Sequence, residues 1–129
     1  MFKLVVTMRK RDDLTNEEFV QYYEDRHLPF LKNTIPAISG TSRTHYRNFP
    51  LLNDPFLQTF LDGRGVVSNP DFDCMTEVIY QDRESANAYF KSFFSPENLE
   101  KIKQDESNFV KLDSIRFHVV DCIKSTRTV

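Results

Sequence analysis

The chain has 129 residues, with 17 Lys plus Arg against 19 Asp plus Glu. That length suits one domain able to bury a core, residues 1–129. The near-balanced charge, formally −2, argues against nucleic acid as the main partner. No stretch approaches the ~20 apolar residues of a membrane span, so no membrane partner is expected. Near the N-terminus only residues 4–6 form an apolar run, with Arg9, Lys10 and Arg11 behind it, unlike a signal peptide; a cytoplasmic protein is expected. The unusual count is 12 Phe beside 5 Tyr. So many rings either fill a tight core or line an apolar cavity.

In chain order, Phe2, Leu4, Val6 and Met8 alternate with Lys3, Val5 and Thr7, the period of a half-buried strand. Thr15-Asn16-Glu17-Glu18 is a capping box that opens a helix. On the helical wheel Phe19, Tyr23 and Phe30 share one arc. Val20, His27 and Leu31 lie beside it, so His27 belongs to the inward side, opposite Glu17, Gln21, Glu24 and Asp25. Pro29 lacks an N–H and predicts a kink or restart at His27-Leu28-Pro29. Residues 40–48 read as a second strand. Residues 49–72, with Pro50, Pro55, Pro70, Gly63 and Gly65, are too long for a hairpin loop and are expected to form an insertion acting as wall or lid. Within it Phe56, Leu57, Phe60 and Leu61 have one-turn helical spacing and need an apolar surface to cover. A third strand at Cys74–Tyr80, a helix at 83–94, a helix restarted by Ser95-Pro96, and a last strand from Ser114 or Ile115 to Ile123 complete the order. Cys74 and Cys122 read as buried reduced thiols within strands.

The order β-α-β, insertion, β-α-α-β predicts an α+β fold. It is the ferredoxin-like split βαβ arrangement, a four-stranded antiparallel sheet with helices on one face. The uncovered face carries apolar residues as well, which predicts a homodimer.

The nucleotide- and flavin-binding glycine motifs, the C-x-x-C and H-E-x-x-H metal motifs and the G-x-S-x-G elbow are all absent, and only 3 Gly are present. Nucleotide, flavin and nicotinamide cofactors are therefore not expected, nor is a bound metal. The chemistry falls to three histidines on three elements, His27, His45 and His118, since imidazole is the natural proton shuttle near neutrality. Each is equally readable as a packed or partly exposed histidine, and no local spacing favours a three-His metal site. Arg43, His45 and Arg47 share one strand face by period 2, able to receive a carboxylate or to act as a solvated edge; Tyr46 lies between them. Glu77, between Met75 and Ile79, reads as a general base or as an interface ion pair.

Several of these segments resemble the EthD family: the helix opening Leu14-Thr15-Asn16-Glu17-Glu18-Phe19 and its end His27-Leu28-Pro29, the strand Thr44-His45-Tyr46-Arg47, the run Phe72-Asp73-Cys74-Met75-Thr76-Glu77, and the late Asp105-Glu106 with Phe109. The similarity spans nearly the whole chain, and its flavour is that of fungal members found with aromatic-polyketide pathways. It implies a dimeric α+β barrel with a cofactor-free pocket between sheet and helices. His27 and His45 match family histidines, and Asp105 and Phe109 match the late acidic-aromatic motif, read here as D-E-S-N-F where decarboxylase-like members are closer to D-H-E-N-F. The expected function is a cofactor-independent lyase, decarboxylase or dehydratase/cyclase, acting on an aromatic polyketide-derived acid in secondary metabolism. His27, His45 and Asp105 are expected as catalytic residues. Tyr23, Arg43, Tyr46, Arg47, Phe56, Phe60, Tyr89, Phe109 and His118 are expected to bind the substrate. The alternatives are a non-catalytic accessory protein for an oxidative pathway and a cofactor-free quinol- or anthrone-type monooxygenase.

Overall fold

Strand β1 (Phe2–Met8) buries Phe2, Leu4, Val6 and Met8 on one face and leaves Lys3, Val5 and Thr7 half-buried on the other, as its alternation dictates. The computed structural model describes residues 1–52, 54–66 and 69–128. Strands β2 (Arg43–Asn48), β3 (Cys74–Tyr80) and β4 (Arg116–Val120) join β1 in one antiparallel sheet in the order β2-β3-β1-β4. Each pair of strands that flanks a helical crossover has another strand inserted between its members, which is the ferredoxin-like split βαβ arrangement.

Helix α1 (Asn16–Tyr22) starts at the capping box: Thr15 Oγ1 accepts from the Glu18 N–H at 3.1 Å, and Glu18 Oε1 accepts from the Thr15 N–H at 2.9 Å. It runs into a π-helical turn, Tyr23–His27, closed by the Leu28 N–H on the Tyr23 carbonyl, and then into α2 (Leu28–Thr34). The physical reason for the turn is Pro29. Its ring would crowd the carbonyl four residues back, that of Asp25, and widening the preceding turn relieves this. The helix thus restarts at Leu28, within the expected His27-Leu28-Pro29, and the wide turn precedes it. Helices α4 (Arg83–Phe93) and α5 (Pro96–Glu106) begin at Asp82, which accepts from the Ser85 N–H at 2.7 Å, and at Ser95, which accepts from the Asn98 N–H.

The chain beyond β1 and the chain beyond α5 run side by side. Arg11 N–H donates to the Phe109 carbonyl at 2.9 Å, Lys111 N–H donates to the Arg9 carbonyl at 3.0 Å, and Lys10 bridges Val110. This tie draws the end of α5 against α1 and buries Phe109 among Phe19, Tyr22 and Tyr23. The aromatic excess is thus divided: Phe2, Phe19, Tyr23, Tyr80 and Phe109 are buried in the core, while others such as Phe94 and Phe117 stay exposed. Edge-to-face and tilted ring pairs link Phe19, Tyr23, Phe49 and Phe109 on one side, and Phe2, Tyr80 and Phe90 on the other.

Several sequence expectations shift. Cys74 is buried and free, but Cys122 lies beyond β4 and is exposed and free, because β4 stops at Val120. In the expected insertion, residues 53, 67 and 68 lie outside the described residues. Its helix α3 (Phe56–Leu61) holds Phe56 and Phe60 in an edge-to-face pair at 5.4 Å, yet they remain 72% and 65% exposed. Glu77 faces away from the helices and pairs with Lys3 at 2.8 Å, which with Asn48 holds its carboxyl below the usual range; it is not a raised-pKa base. No helix among the described residues is long and apolar enough to cross a membrane.

Candidate functional site

Between the sheet and the helical arm lies a cavity of about 490 Å³. Its floor is the helix-facing side of the sheet: Leu4, Val6 and Met8 from β1, Thr76, Val78 and Tyr80 from β3, and Arg43, His45 and Arg47 from β2. Tyr23, Glu24, His27, Leu28 and Leu31 form one wall. Tyr89, Phe90 and Phe93 of α4, with Phe94 at its C-cap and Phe117 of β4, make an aromatic far end, and Glu106 closes α5 on it. The volume falls in the range of about 300–1,000 Å³ typical of small-molecule sites.

His27 is 6% exposed, at the end of the π-turn. Its Nδ1 lies 2.7 Å from Asp105 Oδ2, and the other carboxylate oxygen of Asp105 accepts from the Tyr22 hydroxyl at 2.8 Å; Asn108 Nδ2 in turn donates to that hydroxyl at 2.9 Å. An Nδ1–H donated to Asp105 leaves the lone pair of neutral His27 on Nε2. Nε2 has no protein partner among the described residues, and none of their fully buried side-chain N or O atoms lacks one, so Nε2 opens to the cavity. The ring packs on Phe109 at 4.9 Å and edge-on to Tyr23 at 5.3 Å. Burial pushes the His27 pKa below its usual value while Asp105 pulls it partly back, so the neutral base is the resting form.

Across the floor, burial and the neighbouring Arg47, Arg43 and His27 push His45 down to about 4. His45 is therefore a neutral imidazole at pH 7. Arg47 is held by Glu24 through contacts of 2.8 and 3.2 Å, whereas Arg43 lies 4.2 Å above the Tyr89 ring with no carboxylate partner among the described residues. Arg43 is thus the cation left available on β2. Burial with the added charge of Asp105 pushes the Glu106 carboxyl up to about 7.

The expected residues divide. His27, His45, Tyr23, Arg43, Arg47 and Tyr89 line the cavity. Asp105 and Phe109 stand behind His27, one holding its Nδ1 and the other its ring face, so they position it instead of walling the cavity. Tyr46 and His118 are on the opposite face of the sheet, paired in register with Glu77 and Val5, because period 2 sends them away from their cavity-facing neighbours. That placement also separates His118 from the other two histidines. Phe56 and Phe60 lie outside this cavity; Phe56 borders a separate depression with Phe49, Pro50 and Phe72. Glu24, read as solvated, instead reaches Arg47 at the wall. Glu106 was not anticipated as a cavity residue. The adjacent acidic pair Asp105-Glu106 on one helix is the signal that could have found it.

The EthD domain model matches residues 11–113. Among solved structures the chain is similar to an ethyl tert-butyl ether D (EthD) family protein from Bacillus halodurans C-125, with a TM-score of 0.56, 16% identity, and 95% of this chain and 100% of that chain covered. It is also similar to a DABB family protein with a ferredoxin-like fold from Mesorhizobium loti MAFF303099, with a TM-score of 0.50, 10% identity, and 95% and 97% covered. At these identities the likeness speaks to fold alone. No curated protein matches.

Proposed function

The chain belongs to the EthD domain family, and from that premise we propose that it is a cofactor-independent lyase acting on an aromatic, polyketide-derived carboxylic acid in secondary metabolism. The observation that carries the reading is the orientation of His27: Nδ1 tied to Asp105, Nε2 open to an apolar cavity of ligand size. Arg43 receives the substrate carboxylate by charge-assisted hydrogen bonds while remaining on the Tyr89 face. The aromatic end formed by Phe90, Phe93 and Phe94 accepts the flat ring system. His27 Nε2 takes the proton of a hydroxyl ortho to the carboxylate, or of the enol of a β-keto acid, and returns it once loss of carbon dioxide has put negative charge back on that oxygen. Loss of carbon dioxide also requires a proton at the carbon it leaves. Dehydration or aldol closure calls on the same His27 proton transfer. The protein acts as a homodimer joined through the face of the sheet that bears Val5, Met75 and Ile79, which no helix among the described residues covers.

The test is product analysis with ortho-hydroxy and β-keto aromatic acids, following carbon dioxide, water loss and dissolved oxygen together. The expected result is carbon dioxide release or dehydration without oxygen uptake, falling about 10²–10⁴-fold in His27→Ala with the fold retained, and not restored by His27→Gln. Oxygen consumption overturns the lyase reading in favour of an oxygenase. Tight binding of these acids without turnover overturns it in favour of an accessory role.

A further inference from the structure

Two carboxyl side chains line the cavity, Glu24 and Glu106. Glu24 is held by Arg47. Glu106 is different. No cation lies within ion-pair distance of it and no hydrogen bond to its carboxyl exists among the described residues. Since none of their fully buried side-chain oxygens lacks a partner, its carboxyl opens into the cavity. It closes the 11-residue helix α5, where the carbonyl ends of the helix disfavour negative charge, and its sequence neighbour is the Asp105 that holds His27.

We propose that Glu106 is the second proton donor of this cavity: a neutral carboxylic acid that delivers a proton to the carbon from which carbon dioxide leaves, while His27 works on the neighbouring oxygen. This deepens the lyase reading and rests on it. In the step, the O–H bond of Glu106 breaks and a C–H bond forms at the ring carbon bearing the carboxylate. The bond from that carbon to the carboxylate then breaks, its electron pair restores the ring, and carbon dioxide departs. The Glu106 carboxylate regains its proton from solvent, so one proton is consumed per carbon dioxide released.

The surroundings keep the donor form populated. Burial first, and the charge of Asp105 second, push the Glu106 carboxyl up to about 7. From the elements facing it, Tyr23 and His27 on the π-turn and His45 on β2 are neutral at that pH, since burial raises the tyrosine and lowers both histidines. Lys32 and Arg43 are the cations of the cavity beyond the Glu24–Arg47 pair, and neither forms an ion pair with Glu106.

The experiment uses full-length protein, with 1-hydroxy-2-naphthoate as a fluorescent aromatic-acid probe and ¹³C-labelled glutamate followed by NMR. The Glu106 carboxyl signal, identified by its loss in Glu106→Gln, is expected to titrate near neutrality. Probe affinity should fall about tenfold between pH 6 and 8 in the wild type as a negative charge appears beside the anion, and stay level in Glu106→Gln, which remains neutral. Turnover of whichever panel acid the protein converts should fall about 100-fold or more in Glu106→Gln at pH 6 with probe affinity preserved, and recover in part in Glu106→Asp. A signal titrating in the ordinary carboxylate range, or Glu106→Gln turning over at the wild-type rate while His27→Ala does not, removes Glu106 alone. Absence of turnover of every panel acid by the wild type removes the lyase reading and the carbon-acid role with it.

Discussion

His27 Nδ1 and Asp105 Oδ2 are 2.7 Å apart across 78 residues of sequence, and Tyr22 binds the other oxygen of the same carboxylate. The contact fixes the tautomer of a histidine whose opposite nitrogen faces the cavity. Asp105 thus acts on the reaction through His27.

Asp105→Asn is therefore expected to lower turnover by about 10²-fold or more, because the amide no longer selects the Nδ1–H tautomer or stabilises the imidazolium. The pH profile supplies the discriminating readout. Asp105 raises the His27 pKa against the larger effect of burial, so its loss moves the acidic limb of the rate profile to lower pH. A limb that stays in place while activity drops would show that Asp105 serves the fold and not the base.

Among the described residues Arg43 is the β2 cation without a carboxylate partner. Arg43→Gln should weaken binding of 1-hydroxy-2-naphthoate roughly 10–150-fold, the worth of a hydrogen bond to a charged group. Binding of the corresponding amide should hardly change. Arg43→Lys should recover only part of the loss, since an ammonium lacks the planar fork that binds carboxylates and stacks on Tyr89. Equal losses for acid and amide would place Arg43 in packing instead of carboxylate recognition.

His45 links stability to pH. Its pKa is about 4 in the folded chain against 6.5 when unperturbed, so between those values the unfolded chain binds more protons. Its contribution is complete above about pH 6.5 and is lost as pH falls toward 4, at up to about 1.4 kcal/mol per pH unit. Glu106 has the opposite sign, its raised pKa costing stability as pH rises from 4.5 toward 7. Comparing wild type with His45→Phe by urea unfolding at pH 7 and pH 5 cancels that background. The variant should gain on the wild type at pH 5, and an unchanged difference would show that His45 is not desolvated in the fold.

The uncovered sheet face supplies a fourth test. Ile79 sits opposite Lys3 in the β1–β3 register, so Ile79→Lys places two like charges across a strand pair on the proposed dimer face. Light scattering at micromolar concentration should return a dimer for the wild type and a monomer for the variant, with probe binding in the cavity retained. A monomeric wild type would remove the dimer.

Local periodicity carried much of this protein. The alternation in Phe2–Met8 and Cys74–Tyr80, the capping box at Thr15 and the turn of His27 toward the inner side of its helix follow from rules of period and hydrogen bonding that act within a few residues. The strand-and-helix order led to the ferredoxin-like arrangement for the same reason. What periodicity could not supply is which distant groups meet. Asp105 reaches His27 only because the pairing of Lys10 with Val110 folds the end of α5 onto α1. Glu106 gains its elevated pKa from a cavity wall assembled from helical and sheet elements far apart in sequence. His118 and Tyr46 left the site because strand register sets which face meets the helices. Burial, charge pairing and pKa depend on through-space neighbours, and those neighbours exist only once the chain has closed on itself.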